Sequence, residues 1–96
     1  MAYHFKWDRR KAASNAGKHG MTFEEASTVF GDPSAFIFDD EDHSADELRE
    51  IIIGHSNRGH LTIVCFTEKA EGLIRIISAR PATMKERENY EENISI

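Results

Sequence analysis

The stretch Arg75-Ile76-Ile77-Ser78-Ala79-Arg80, lying between Gly72 and Pro81, decides the fold. Its β-branched residues suit a pleated, packed backbone. The glycine before it and the proline after it bound a strand over 73–79. A mostly apolar strand has little use for two arginines unless they meet anions. The guanidinium is planar, permanently charged and matched in shape to carboxylate and phosphate. Two readings follow. Either the strand carries cations to a surface where an anion binds, or Arg75 pairs with a neighbouring glutamate while Arg80 solvates a strand end.

Working back from that strand, Lys69-Ala70-Glu71-Gly72 reads as a turn and 60–67 as its partner strand. Asn57-Arg58-Gly59 is a second tight turn, preceded by a strand over 48–55 in which Ile51, Ile52 and Ile53 are expected to be buried. Residues 35–38 form a short strand before the charge run Asp39-Asp40-Glu41-Asp42, which reads as a solvated turn. It lacks the glycine and spacing of a calcium loop. These strands follow one another too closely for helical crossovers, so they pair as a four-strand antiparallel meander.

The N-terminal third is different. Phe5 and Trp7 alternate with His4 and Lys6 as in a short strand. Asp8 caps a helix over 9–18, and Gly20 is placed to end it in a left-handed conformation. Ala12, Asn15, Ala16 and His19 give that helix a thin face that can lie close to a sheet. Thr22-Phe23-Glu24-Glu25 is a capping box in which Thr22 caps and Glu25 reaches back. The helix it opens is expected to run to about residue 30, with Phe23, Ala26, Val29 and Phe30 buried, until Gly31-Asp32-Pro33 stops it. After Pro81, Thr83 caps a last, strongly charged helix to about residue 92, and 93–96 is expected to fray. The expected class is α+β: one short strand, two helices covering one side of the sheet, the meander, and a final helix closing one end of the other side.

Composition narrows the function. A chain of 96 residues makes one small domain over 1–96. The lone Cys65, inside an apolar run, excludes an intramolecular disulfide and reads as a small buried hydrophobe. Neither a signal-peptide core nor a membrane-length apolar run is present, so a cytoplasmic location away from the membrane is expected. A net charge of −5 argues against nucleic-acid binding by bulk attraction. The charge is uneven, however. Residues 1–31 carry Lys6, Arg9, Arg10, Lys11 and Lys18 against three acids, while 32–50 is strongly acidic with Arg49 its single base. Any anion site is therefore local.

Five histidines raise the question of a metal, but no paired-ligand motif accompanies His43, His55 or His60, and no metal or other cofactor is expected. Nucleophile-elbow and glycine-rich phosphate motifs are also missing. What remains is a set of cations (Lys18, His19, Arg58, Arg75, Arg80), the acid Glu47, and the aromatics Trp7 and Tyr90. Metal-independent RNA cleavage needs such groups. A ribose 2′-hydroxyl must lose a proton, the 5′-oxygen must gain one, and the phosphorane needs fixed positive charge. Aromatics can stack bases. Each residue also has a structural reading: Trp7 in the core, and His19 satisfying a helix C-terminus.

These residues fall in a recognisable order. Trp7-Asp8, Asn15 with Lys18-His19-Gly20, Phe23-Glu24-Glu25-Ala26, Val29-Phe30 with Asp32-Pro33, and His43-Ser44 with Glu47 and Arg49 come first. Gly54, Ser56 and Gly59, Thr67, Arg75 to Arg80, and Glu86-Arg87 with Tyr90-Glu91 follow. The set resembles the BrnT family of type II toxins over nearly the whole chain. The resemblance implies a RelE-like fold and a ribonuclease toxin that inhibits translation. It also implies a BrnA-type antitoxin that neutralises it, through which alone it would contact DNA. One departure is His60, where many relatives have arginine after the glycine. The roles expected are Arg80 and Arg58 on the scissile phosphate, and His19 or His60 as proton carrier with Glu47 a rival base. Lys18 and Arg75 would hold flanking phosphates, and Trp7 and Tyr90 would take bases. Two alternatives stand beside this: a weak or inactive module whose sheet surface and last helix hold the antitoxin, and an enzyme acting on an unrelated small molecule.

Overall fold

A computed structural model describes residues 3–43 and 47–94. Ser44, in one of the motifs above, and residues 95–96 of the tail lie outside them. The elements are β1 (His4–Lys6), α1 (Arg9–His19), α2 (Phe23–Ser27), a 3₁₀ turn (Thr28–Gly31), β2 (Phe36–Asp39), a second 3₁₀ turn (Glu41–His43), β3 (Glu50–His55), β4 (Leu61–Ala70), β5 (Leu73–Pro81) and α3 (Met84–Ile94). They build one five-stranded sheet in the order β1-β5-β4-β3-β2. The antiparallel meander is as expected. The pairing of β1 is the addition: it runs parallel to β5, with Phe5 opposite Ile74.

Local chemistry explains the helices. Asp8 accepts hydrogen bonds from the amides of Arg10 (2.8 Å) and Lys11 (3.0 Å), and Gly20 closes α1 at φ 67°. Thr22 caps α2 through the Glu25 amide at 3.1 Å. The helical path toward residue 30 is completed as 3₁₀, not α. The Glu25 side chain does not reach back to Thr22. It is drawn across to the β3–β4 turn, where Ser56 and His60 offer partners.

Two apolar clusters sandwich the sheet. On the helix side Phe23, Ala26 and Val29 pack on Ile52, Val64, Phe66, Ile74 and Ile76. On the other side Ile53, Leu61 and Ile63 pack with Tyr90 of α3, which closes only one end of that face. Cys65 belongs to this second face and is half-buried, not fully buried as its apolar neighbours suggested. Burial and the nearby Asp40 push its thiol up to about 11, so it stays protonated. Ile51 is likewise half-buried, while Ile52 and Ile53 are buried. No helix among the described residues is long and apolar enough to cross a membrane.

Two devices fix the frame. Asn15 is buried on α1 and acts as a bracket: it donates to the carbonyls of Ala79 (2.7 Å) and Met21 (3.1 Å) and accepts from the Ala79 amide (3.1 Å). At Gly54 a Cβ would meet the Ala35 Cβ at 2.8 Å and Asp32 Oδ2 at 3.0 Å. Only glycine lets the loop after α2 lie this close to β3.

Candidate active site

A bulge in β5 determines where its two arginines go. Pairing steps from Cys65–Ser78 to Phe66–Ile76, so Ile77 is an extra residue. Residues five apart in a regular strand point to opposite faces. Here Arg75 pairs with Thr67 and Arg80 with Ile63, and these two partners are four apart on β4. Both guanidinium groups therefore lie on the face away from α1 and α2, separated by roughly 13 Å of strand.

Each has a carboxylate. Arg80 donates from Nη1 and Nη2 to the two oxygens of Glu86, both at 2.8 Å. Glu86 also accepts from the Thr83 amide at 2.8 Å, completing a capping box at the start of α3. The Arg80 hydrogen bond is the main reason the Glu86 carboxyl falls to about 2. Arg75 donates to Glu47, which also accepts from Lys69 Nζ at 2.8 Å and lies 3.9 Å from Arg49 Nε. The Lys69 hydrogen bond leads in holding the Glu47 carboxyl below the usual range, so it is anionic at neutral pH.

The bulge joins two clefts. One, of about 340 Å³, lies on the open face and is lined by Arg80, Arg49, Asp40 and Cys65. The other, of about 220 Å³, lies between α1 and β5 and is lined by Lys11, Ser14, Lys18 and His19. Both share Ile77 and Ser78. Lys18 is exposed and His19 half-buried. Cations thus approach the bulged segment from both sides.

Arg58 and His60 form a separate group at the β3–β4 turn. His60 Nδ1 lies 2.7 Å from Glu25 Oε2, the same oxygen that accepts from Ser56 Oγ at 2.7 Å. Burial raises the Glu25 carboxyl, but the bonds from Ser56 and His60 and the nearby Arg58 outweigh it and leave the pKa lowered. Arg58 lines a cleft with Thr22, Glu24 and Glu25, not the cleft that holds Arg80. Trp7 is half-buried, edge-on to Phe23 at 5.9 Å. Tyr90 is 3% exposed, its ring against Phe36 and His55 and its hydroxyl donating to the Ser34 carbonyl at 3.3 Å. Among the described residues no three His, Cys, Asp or Glu side chains converge as metal ligands.

Residues 7–86 match the family model described as "Ribonuclease toxin, BrnT, of type II toxin-antitoxin system". The chain belongs to the BrnT family. A crystal structure of the Brucella abortus ribonuclease toxin BrnT is similar at 27% identity and a TM-score of 0.66, covering 86% of this chain and 100% of that one. No curated protein sequence matches this chain. A type II toxin family implies an antitoxin partner.

Several BrnT-like positions hold the scaffold. Asn15 ties α1 to β5, and Gly54 admits the 32–35 loop. Asp32 accepts from the amides of His55 (2.7 Å) and Ser34 (2.9 Å). The carboxylate partners were harder to foresee. Glu86 carried a signal, since Thr83-x-x-Glu86 is itself a capping box. Lys69 carried none.

Proposed function

We propose that this BrnT-family chain is a metal-independent endoribonuclease toxin, acting in the cytoplasm to inhibit translation and neutralised by a BrnA-type antitoxin. The observation that carries the proposal is the pair of clefts meeting at Ile77 and Ser78, with Lys11, Lys18 and His19 on one side and Arg80 on the other. A phosphodiester laid across the bulge meets cations from both directions, as a developing phosphorane requires. Arg80 stabilises the phosphorane, reorienting from Glu86 as substrate enters. His19 takes the 2′-hydroxyl proton as the 2′-oxygen bonds to phosphorus. The P–O5′ bond breaks, with the departing 5′-oxygen taking a proton from solvent, and Lys18 holds a flanking phosphate. Glu47 keeps Arg75 and Lys69 in place, a supporting role that suits its multiple cationic partners better than that of a base. Arg58 and His60 steer RNA from the neighbouring turn.

A second reading, an antitoxin-binding module with little activity, draws on the carboxylates already paired with Arg75 and Arg80. The two are separated by incubating the purified chain with single-stranded RNA in excess EDTA. New 2′,3′-cyclic phosphate and 5′-hydroxyl ends support the nuclease. Intact RNA, or ends of the opposite polarity, overturns it.

A further inference from the structure

The free edge of β2 is unusual in its chemistry. Among the described residues β2 pairs only with β3. The Asp40 amide donates to the Arg49 carbonyl at 2.9 Å, which sets the phase of the ladder. Antiparallel alternation then turns Phe36 and Phe38 toward β3 for their backbone bonds and leaves the N–H and C=O of Ile37 and Asp39 pointing outward. Natural edge strands are guarded by lysine, proline or charge. This one carries Phe36, Ile37 and Phe38, which are 38%, 52% and 50% exposed.

A groove runs beside it. Phe36 and Phe38 share the face of Ile53 and Ile63, and Glu86, Asn89, Tyr90 and Asn93 of α3 form the opposite wall of a cleft of about 360 Å³. Those four positions are one stripe of a helix. The C-terminal end of β2 and the turn after it are acidic, with Asp39 and Glu50 on the sheet face away from the groove. Asp39, Glu41 and Asp42 are exposed, and Glu50 sits opposite Asp39. Burial first, and then the charges of Asp39 and Glu68, raise the Glu50 carboxyl. A second copy of this chain, net −5, brings more negative charge to that end. A basic segment is complementary to it.

We propose that the edge of β2 and the groove beside α3 receive an extended, basic segment of the antitoxin, added to the sheet as a sixth strand. Its backbone bonds to Ile37 and Asp39, alternate apolar side chains lie over Phe36 and Phe38, and its basic side chains face Asp39, Glu41 and Asp42. This rests on the antitoxin half of the proposed function and is independent of the nuclease site.

The probe is an eight-residue peptide alternating valine and lysine, titrated into the full chain. It is expected to bind, to slow amide exchange at Ile37 and Asp39, and to lose at least tenfold in affinity on Ile37→Pro. That proline removes an outward N–H and no β2–β3 bond. Asp39→Lys, which leaves the backbone intact, is expected to weaken binding as well. Equal binding by a valine–glutamate peptide, or by one N-methylated on alternate amides, overturns the proposal. Self-association of the chain through β2 overturns it too. An antitoxin that co-purifies undiminished with Ile37→Pro removes the edge site while leaving the partnership intact.

Discussion

Arg80 and Glu86 face each other as two parallel forks, with both η nitrogens of the guanidinium 2.8 Å from the two carboxylate oxygens. The same carboxylate caps α3 through Thr83. One glutamate therefore holds the last helix in place and occupies the arginine proposed to meet RNA. The folded carboxyl titrates at about 2 against an ordinary 4.5. A depressed carboxyl stabilises above its unfolded value, and that stabilisation is lost as pH falls from 4.5 toward 2.

Glu86→Gln is expected to lower stability at pH 7 by about 1–2 kcal/mol, since solvent screens a pair roughly one-third exposed. The loss relative to the parent should shrink as pH falls below about 4.5, because the unfolded parent's carboxyl takes up a proton there while the folded one holds its charge down to about 2. Urea denaturation at pH 7 and pH 3 reads both effects. With Arg80 released, the variant should also bind single-stranded RNA more tightly, which fluorescence anisotropy measures.

His19 and His60 separate by context. His19 lies in the cleft that opens on Ser78, whereas His60 is held by Glu25 at the β3–β4 turn. Loss of a general base costs about 10²–10⁴ in rate. His19→Ala should therefore lower single-turnover cleavage at least 100-fold, and His60→Ala less than tenfold. The reverse order would move the chemistry to the turn.

Asn15→Ala tests the bracket beneath the bulge. It leaves the Ala79 amide and two carbonyls without their side-chain partner in a buried setting. The expected loss is about 2–4 kcal/mol, the penalty for buried polar groups stripped of hydrogen bonds. Chemical denaturation measures it, and a loss below 1 kcal/mol would show that water takes over those bonds.

Much of the frame was legible in the sequence because its signals are local. Asp8, Gly20, Thr22 and Thr83 mark helix ends within a few residues of what they cap, and the close spacing of turns forces an antiparallel meander. The bulge at Ile77 was not legible: neither glycine nor proline marks it, and it emerges only when β5 is paired with β4. Without it, Arg75 and Arg80 would be expected on opposite faces. The ion pairs divide the same way. Glu86 is six residues from Arg80, but Glu47 reaches Arg75 and Glu25 reaches His60 only through the folded sheet. Glu25 shows the cost of local reasoning most clearly, since its helix-capping side chain was claimed by a distant turn.

The most direct measurement is the single-turnover rate of RNA cleavage in EDTA by the parent chain, Arg80→Lys and Arg80→Ala, each first checked for an unchanged far-ultraviolet spectrum and a cooperative thermal transition well above the assay temperature. The expected result is cyclic-phosphate ends from the parent, a loss of at least 100-fold in Arg80→Ala, and partial activity in Arg80→Lys, because lysine keeps the charge but not the fork. Undiminished cleavage by a folded Arg80→Ala chain would contradict the assignment of this arginine to the scissile phosphate.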